Sequence, residues 1–281
     1  MDEKVKIPTF LKWAGGKRRI IAQIDPYIPK KINNYFEPCL GAGSMFFYIK
    51  QKYNPKHCIL SDINKDLIDS FKAVRDNPLA LIKKLKYFKS RNSKKFYYAL
   101  RKRFNEHKYI GITRCAVFIF LNKTCFNGLW RVNSKNEFNV PYGNHLGAGI
   151  YDESTILLAS KLLKDVDIKV QDYRDILNEV NSGDFVYMDP CYDPLKKTSF
   201  TNYNPERFTE YDRLELAKFI SGLKNLNVFF LLSNNKIPEM NICYPLNEFK
   251  HVNIFAPRFI NSEGNERGNI VELLILPTFQ S

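Results

Sequence analysis

The sequence has few of the residues from which metal sites and disulfide frameworks are built. Its 281 residues include only four histidines and six cysteines, and none of these has CxxC, HxxxH or HExxH spacing. Structural zinc sites and disulfide scaffolds need such clusters. We therefore expect no bound metal, and we expect reduced thiols at Cys39, Cys58, Cys115, Cys125, Cys191 and Cys243.

Long apolar runs are also missing. No stretch approaches the roughly 18 apolar residues of a membrane-spanning helix. The first ten residues, MDEKVKIPTF, lack the apolar segment of a secretory signal. The sequence therefore predicts an intracellular, cytoplasmic protein with no membrane partner.

Acidic residues are scarce in the first half of the chain. The formal net charge is +14, from 43 Lys and Arg against 29 Asp and Glu. Residues 1–150 hold 29 basic and 10 acidic side chains, and the segment 72–135 alone holds 17 basic and 2 acidic. Such a segment predicts a polyanionic partner, although a lysine-rich helical surface that only aids solubility is the alternative.

Apolar side chains make up 44% of the residues, enough for a core. Short runs rich in Val, Ile, Phe and Tyr alternate with helical patterns, and most runs are continuous, as in strands buried on both faces of a sheet. We expect strands at 34–40, 57–62, 167–172, 184–189, 227–234, 253–256 and 270–276, with helices at 17–24, 43–52, 64–74, 152–163, 174–181 and 206–224. The pattern predicts a mainly parallel, doubly wound α/β sheet.

Between Phe71 and about Tyr151 the pattern becomes basic and helical, and then turns into a β-hairpin. Helices are expected there at 78–88, 94–105 and 112–124. We interpret this part as an inserted helical subdomain, with boundaries at 72–143. The main domain would then comprise 1–71 and 144–281.

A glycine-containing turn follows the first predicted strand. Glu37 ends that strand, Gly41 and Gly43 allow a tight turn close to a ligand, and Asp62 ends the next strand, where a carboxylate can bind a ribose diol. Glu37, Asp62 and Asp172 with no basic residue inside the turn favour a positively charged adenosine ligand such as S-adenosylmethionine. Since the full GxGxxG is absent, ordinary turn chemistry is the alternative.

A second candidate site is Asp189-Pro190-Cys191-Tyr192, directly after a buried strand. The Asp189 carboxylate and the Pro190 carbonyl are adjacent acceptors that can hold the exocyclic amine of a planar base, and an aromatic ring follows. The alternative is a turn that Asp189 merely caps.

Two further segments carry basic and aromatic side chains. Trp13-Ala14-Gly15-Gly16-Lys17 could bind a phosphate, although it is no P-loop, and it could equally cap a helix. Residues 122–143, NKTCFNGLWRVNSKNEFNVPYG, have the composition of a hairpin that enters a DNA groove. An ordinary surface hairpin is the alternative.

These motifs, in the order WAGGK, FEP-x-x-GAG, SDIN, the hairpin block and DPCY, resemble the Dam-type DNA adenine-N6 methyltransferases of the alpha arrangement. The similarity spans residues 10 to about 203. It implies a Rossmann-like S-adenosylmethionine-dependent methyltransferase sheet with an inserted target-recognition subdomain, double-stranded DNA as substrate and usually GATC as target. It implies cofactor contacts at Trp13, Lys17, Glu37, Gly41, Gly43, Asp62, Asp172 and Asp189. The implied catalytic loop is Asp189, Pro190 and Tyr192, and the implied DNA contacts are Lys12, Phe126, Asn127, Leu129, Arg131 and Pro141.

The combined interpretation is transfer of a methyl group to N6 of an adenine flipped out of the duplex. Two positions depart from the family pattern. Cys39 stands where an aromatic residue is usual and is expected to weaken cofactor binding, and Cys191 replaces a second proline and is expected to alter the rate.

Other functions stay open at this point. A methyltransferase acting on cytosine N4 or on adenine in RNA is the nearest enzyme, and a catalytically degenerate DNA-binding protein is the alternative from another class. A nucleotide-dependent oxidoreductase fits less well. A restriction endonuclease that recognises the same site is a candidate partner.

Overall fold

The computed structural model describes residues 5–13, 15–144, 149–190, 209–257 and 269–279. Within these ranges no helix is both long and apolar enough to cross a membrane. The described segments include every predicted strand and most of every predicted helix. Cys191 and Tyr192 of the predicted catalytic loop lie outside the described residues.

The described residues contain one seven-stranded sheet. Its strands in chain order are β1 Asn34–Glu37, β2 His57–Asp62, β3 Asp167–Val170, β4 Phe185–Met188, β5 Phe229–Asn235, β6 Phe249–Pro257 and β7 Asn269–Pro277. Their spatial order is β3-β2-β1-β4-β5-β7-β6. The first five are parallel, and β7 is antiparallel to both β5 and β6. The predicted, mainly parallel sheet is confirmed.

The strand order reverses between β1 and β4. At such a point the two loops leave the sheet in opposite directions and open a crevice at the carboxyl edge. This crevice is where the fold places side chains that follow strands.

Helices pack on both faces of the sheet. The described α-helices are α1 Ile21–Ile24, α2 Ser44–Lys52, α3 Lys65–Asp76, α4 Pro78–Ser90, α5 Lys94–Asn105, α6 Gly111–Thr124, α7 Glu153–Leu162, α8 Glu210–Asn225 and α9 Glu239–Cys243. Side chains alternate along β1, so Tyr35 faces the core formed with α2 and α3, and Phe36 faces the core formed with α8. Burial on both faces explains why the strands are continuously apolar.

The basic segment folds as α4, α5 and α6. From Cys115 to Leu121 the helix α6 is buried on every side, because it packs against α3, α4 and α5. The Arg114 guanidinium of α6 binds the Asp66 carboxylate of α3 through two contacts, of 2.5 and 2.8 Å. This ion pair joins the basic helices to the helix that follows β2.

The local structure differs from the prediction at two places. The predicted helix at 17–24 is a 3-10 turn, Lys17–Arg19, followed by the short α1, and it ends before Pro26, which has no N–H to donate. The predicted hairpin pairs only through isolated bridges, Cys125 with Tyr142 and Val132 with Phe138. Left-handed residues such as Asn127 and Asn136 interrupt a continuous ladder.

Candidate active site

Three predicted acidic residues end strands at the reversal point of the sheet. Glu37 is the last residue of β1, Asp62 the last of β2, and Asp189 directly follows β4. Parallel strands end at the same edge, so the fold places these side chains along one crevice. The structure thus brings together groups separated by up to 152 positions in the chain.

Glu37 is almost fully buried, with 3% of its side chain exposed. Its Oε2 accepts a hydrogen bond of 2.7 Å from the Tyr35 hydroxyl. Burial, with a smaller effect from the charge of Asp189, raises the pKa of Glu37 to about 8, although the hydrogen bond from Tyr35 acts in the opposite direction. Glu37 therefore carries a proton at neutral pH until a cation enters the site.

Asp62 organises the glycine turn. Its Oδ2 accepts from the Gly41 N–H at 3.2 Å, and its Oδ1 accepts from the Asn64 N–H at 2.9 Å. Burial raises the pKa of Asp62 to about 6, although these backbone bonds favour the charged form. Beside it, Ile63 leaves 58% of its side chain exposed at the same edge. The carboxylate is thus fixed next to an open apolar surface.

Gly41 and Trp13 are in direct contact. Gly41 has a φ of +49°, and a Cβ placed on it would lie 2.8 Å from Cδ1 of the Trp13 ring. Gly43, also left-handed, precedes the first turn of α2. The partly buried Trp13 ring therefore closes one side of the glycine turn.

Lys17 places a buried ammonium in this crevice. Only 3% of its side chain is exposed, and its ammonium lies 2.8 Å from Asp189 Oδ1. The same ammonium donates to the Gly15 carbonyl at 3.0 Å and lies 3.5 Å from Oε2 of Glu272 on β7. Sequence reasoning missed Glu272, whose only signal is a lone acidic residue inside the apolar run IVELLIL.

Cys39 and Asp172 each stand two residues after the end of a strand, β1 and β3. The Asp172 carboxylate accepts from the Arg174 backbone N–H at 2.9 Å and pairs with its guanidinium at 2.8 and 2.9 Å. The side-chain hydrogen bond from Arg174 lowers the pKa of Asp172. Cys39 is partly buried and packs against the core under α8.

The hairpin exposes most of the predicted DNA contacts. Phe126 is 51% exposed, and its N–H donates to the Pro141 carbonyl at 2.9 Å. Asn127 is exposed in a left-handed conformation at the turn, and Leu129 is partly buried. The structure therefore places Phe126 and Pro141 next to each other across the hairpin.

The other aromatic residues of the hairpin are internal. Trp130 is 6% exposed and stacks on Phe138, with ring centroids 4.4 Å apart. It also packs on Phe118 of α6. Burial of Trp130 turns the next side chain, Arg131, outward, where Asn139 Oδ1 accepts its Nε–H at 2.8 Å. The aromatic residues interleaved with basic ones thus serve chiefly as the core of the hairpin.

Asn122, at the end of α6, connects the hairpin to the N-terminal segment. It is fully buried, and its side-chain amide binds the N–H and the carbonyl of the exposed Lys12 at 2.8 and 2.7 Å. Gly128 at the hairpin turn packs on the Lys12 side chain, since a Cβ there would lie 2.5 Å from Lys12 Cδ. Asn122 is the first residue of the hairpin segment 122–143. The sequence does not indicate its role, because a bond between a side chain and a distant main chain leaves no pattern in the sequence.

A cavity of about 340 Å³ lies between these parts. Lys12, Asn127 and Leu129 line it on the hairpin side, and Trp13 and Ser44 line it on the side of the glycine turn. Elsewhere, the described ranges contain no group of three or more His, Cys, Asp or Glu side chains that could hold a metal ion.

Comparison with known proteins agrees with this arrangement. Residues 13–255 match a family described as D12 class N6 adenine-specific DNA methyltransferase. The chain is 41% identical over 289 residues to the type II methyltransferase M.MjaIII of Methanocaldococcus jannaschii, covering 97% of this chain and 99% of that protein. It is 36% identical to the type II methyltransferase M1.LlaDCHI of Lactococcus lactis, over 97% and 96% of the two chains. It is 31% identical to the DNA adenine methylase of Escherichia coli K12, over 95% and 94%.

Proposed function

The chain belongs to the D12 class of N6 adenine-specific DNA methyltransferases, and from that premise we propose how its residues bind the methyl donor, the target base and the DNA. The enzyme transfers a methyl group to N6 of adenine in DNA. One observation supports the assignment of the chemistry most: the buried Lys17 ammonium 2.8 Å from the Asp189 carboxylate, at the carboxyl edge of β4.

The methyl donor is S-adenosylmethionine, which supplies an electrophilic methyl group on a positively charged sulfur. The crevice fits such a ligand because the charge of Asp189 disfavours the ionised form of the buried Glu37, and a cationic ligand beside these two residues would favour that form again. Asp62 would accept hydrogen bonds from the ribose diol, and the exposed Ile63 would cover the adenine ring. The proposed cofactor contacts are Trp13, Lys17, Glu37, Gly41, Gly43, Asp62, Asp172 and Asp189.

The target adenine leaves the duplex, since N6 is unreachable while the base is stacked and paired. The Asp189 carboxylate and the Pro190 carbonyl then accept the two N6 hydrogens, which directs the nitrogen lone pair toward the methyl group. Tyr192, outside the described residues, would stack on the base. Most of the rate gain would come from positioning and from these fixed acceptors.

DNA reading falls to exposed residues of the hairpin and to Lys12. Arg131, aligned by its 2.8 Å bond to Asn139, can contact guanine O6 and N7, and Leu129 and Pro141 can meet a thymine methyl group. Phe126 is exposed enough to enter the base stack. The complete proposed set is Lys12, Phe126, Asn127, Leu129, Arg131 and Pro141. We expect GATC as the target from the sequence resemblance.

The segment 72–143 acts as the target-recognition subdomain, and 1–71 with 144–281 as the catalytic domain. The basic side chains of α4 and α5 would add affinity that depends on salt but not on sequence. Two relatives are named type II methyltransferases. By analogy, a restriction endonuclease that recognises the same site is the proposed partner of this enzyme.

One experiment tests the function directly. Purified enzyme and labelled S-adenosylmethionine are incubated with an unmethylated plasmid, and the modified bases are identified by nucleoside analysis and mapped by sequence context. We expect N6-methyladenine only, within GATC. N4-methylcytosine would refute the assigned base, and adenine methylation at another sequence would refute the assigned target. The Asp189→Ala variant, made in parallel, controls for activity from the host.

A further inference from the structure

Glu272 faces the candidate active site from the far end of the chain. It lies on β7, opposite Asn235 of β5 and Ile254 of β6, and 17% of its side chain is exposed. Its Oε2 is 3.5 Å from the Lys17 ammonium, which is 2.8 Å from Asp189 Oδ1. One ammonium thus stands between two carboxylates.

The contact with Glu272 is the looser of the two. At 3.5 Å the Lys17 ammonium attracts the Glu272 charge but makes no hydrogen bond of good geometry. Among the described residues, the buried Oε2 of Glu272 has no hydrogen-bond donor. A buried carboxylate oxygen without a donor is costly and uncommon in folded proteins. Glu272 is therefore placed to accept a donor that approaches it from nearby.

The proposed reaction requires the Lys17 ammonium to move away from Asp189. Asp189 must accept a hydrogen bond from N6 of the target base, yet its Oδ1 is bound to Lys17. An ammonium held this close weakens the carboxylate as an acceptor for a neutral amine. The Glu272 carboxylate is only 0.7 Å farther from the Lys17 ammonium than Asp189 is (3.5 against 2.8 Å). A short movement would therefore bring the ammonium into contact with Glu272.

We propose that Glu272 is a positioning residue that takes the Lys17 ammonium from Asp189 when Asp189 engages the amine of the target adenine. The proposal rests on the proposed function, since it assigns Glu272 a role in the same methyl transfer. Glu272 touches neither the base nor the methyl group in this scheme. It acts through Lys17, and the described charged groups that face it are Lys17 and Asp189, with the Tyr187 hydroxyl nearby and bound to Ser233.

The test is Glu272→Gln in the full-length enzyme. The amide keeps the size of the side chain but removes the charge, so Lys17 would stay on Asp189. We expect the single-turnover rate at saturating S-adenosylmethionine and duplex to fall at least about tenfold, while both dissociation constants change less than about threefold. The matched control is Glu248→Gln, which removes a surface carboxylate paired with Lys224 and should leave the rate unchanged.

Two further readouts separate this role from a structural one. Glu272→Asp keeps the charge and should restore part of the rate. The ratio of the wild-type rate to the Glu272→Gln rate should also fall as the pH falls. Burial raises the pKa of Glu272, and the protonated carboxyl group resembles the amide of the variant. This second readout compares two proteins that differ only at Glu272, so titration of Glu37 and Asp62 affects both.

The outcomes are distinguishable. A Glu272→Gln rate within twofold of the wild type overturns the inference, as does a loss that appears only in the affinity for S-adenosylmethionine. If Glu272→Gln does not fold, Glu272→Asp is the test of the inference. An Asp variant that folds, binds both ligands with wild-type affinity and keeps the wild-type rate at every pH overturns the inference. Wild-type protein without activity on any adenine instead refutes the proposed function.

Discussion

The main-chain N–H and carbonyl of Lys12 are both bound by one side chain, the buried amide of Asn122, at 2.8 and 2.7 Å. The two residues are 110 positions apart. Because α6 carries Asn122, the basic helical segment fixes the backbone of a lysine that belongs to the N-terminal part of the chain. The exposed side chain of Lys12 therefore has a defined starting point for contact with DNA.

Asn122→Ala should weaken discrimination between DNA sites. Removing the amide leaves two main-chain groups of Lys12 without partners, which we expect to cost about 1–3 kcal/mol of stability. The ratio of kcat/KM for cognate and singly substituted duplexes measures discrimination. Gln23→Ala is the control, because the Gln23 amide likewise binds both main-chain groups of Phe255, outside the hairpin. Equal losses of discrimination in both variants would contradict the role of Asn122.

Gly41→Ala should weaken binding of S-adenosylmethionine. The new methyl group would lie 2.8 Å from the Trp13 ring in addition to the strain of a φ of +49°. Gly111→Ala is matched for strain, since Gly111 has a φ of +52° and nothing lies within 4 Å of the new Cβ. Strain of this kind costs about 1 kcal/mol. Calorimetry should show weaker cofactor binding only for Gly41→Ala, and wild-type affinity in that variant would argue against the glycine turn as a cofactor contact.

Binding of S-adenosylmethionine should release the proton of Glu37 to the buffer, because the positive charge of the ligand favours the ionised carboxylate. The pKa of Glu37 is raised to about 8 by burial, so the free enzyme holds this proton at neutral pH. A cationic ligand favours the carboxylate, and affinity should rise by up to about tenfold per pH unit between about pH 6.5 and 7.5. Titration calorimetry in buffers of different ionisation enthalpy measures the released proton. In Glu37→Gln the affinity should no longer rise with pH in this interval. An affinity that rises as steeply as in the wild type would assign the proton to another group.

Stability should depend on the same proton. The pKa of Glu37 is higher in the folded protein than in the unfolded chain, so its proton stabilises the fold. This stabilisation is fully present below the unfolded value of 4.5 and is lost as the pH rises toward about 8. The free energy of unfolding without ligand should therefore fall by up to about 1.4 kcal/mol per pH unit in this interval. Denaturant titrations of the wild type and Glu37→Gln at several pH values measure this free energy. If it changes with pH equally in both proteins, Glu37 is not the group responsible.

Asp189→Ala should abolish methyl transfer and leave DNA binding largely intact. Loss of an aligned acceptor in an active site typically costs at least about 100-fold in rate. Lys17 keeps Glu272 as an anionic neighbour at 3.5 Å, so the fold should persist. Single-turnover methylation and a duplex-binding titration measure the two properties separately. Substantial residual turnover would remove Asp189 from the catalytic loop.

Arg131→Ala should relax specificity at one guanine position by about 1–3 kcal/mol rather than weaken binding to every sequence. Asn139→Ala, which removes only the 2.8 Å partner of Arg131, should have a smaller effect at the same position. Methylation of duplexes carrying each single base substitution provides the measurement. A uniform loss across all duplexes would indicate a phosphate contact instead.

The sequence predicts the sheet well because its strands are short apolar runs between helical patterns. Glu37, Asp62 and Asp189 could be assigned to one crevice since each follows such a run, and parallel strands end at a common edge. The irregular pairing of the hairpin was not predictable, because it depends on how Trp130 packs against Phe118 and Phe138.

Contacts between distant parts of the chain were missed for a physical reason. Glu272 lies in an antiparallel strand near the end of the chain, and its distance to Lys17 depends on the position of β7 beside β5. Asn122 binds the backbone of Lys12, which any residue type could offer. Neither contact leaves a pattern in spacing or composition.

The close packing of Gly128 on Lys12 has a consequence for engineering a new target sequence. A recognition hairpin transplanted from another enzyme would meet the Lys12 side chain of its host rather than the one with which it evolved. A functional graft therefore requires two pieces that are not contiguous, the hairpin and the residues around Lys12. Chimaeras that exchange both should keep their activity more often than chimaeras that exchange the hairpin alone.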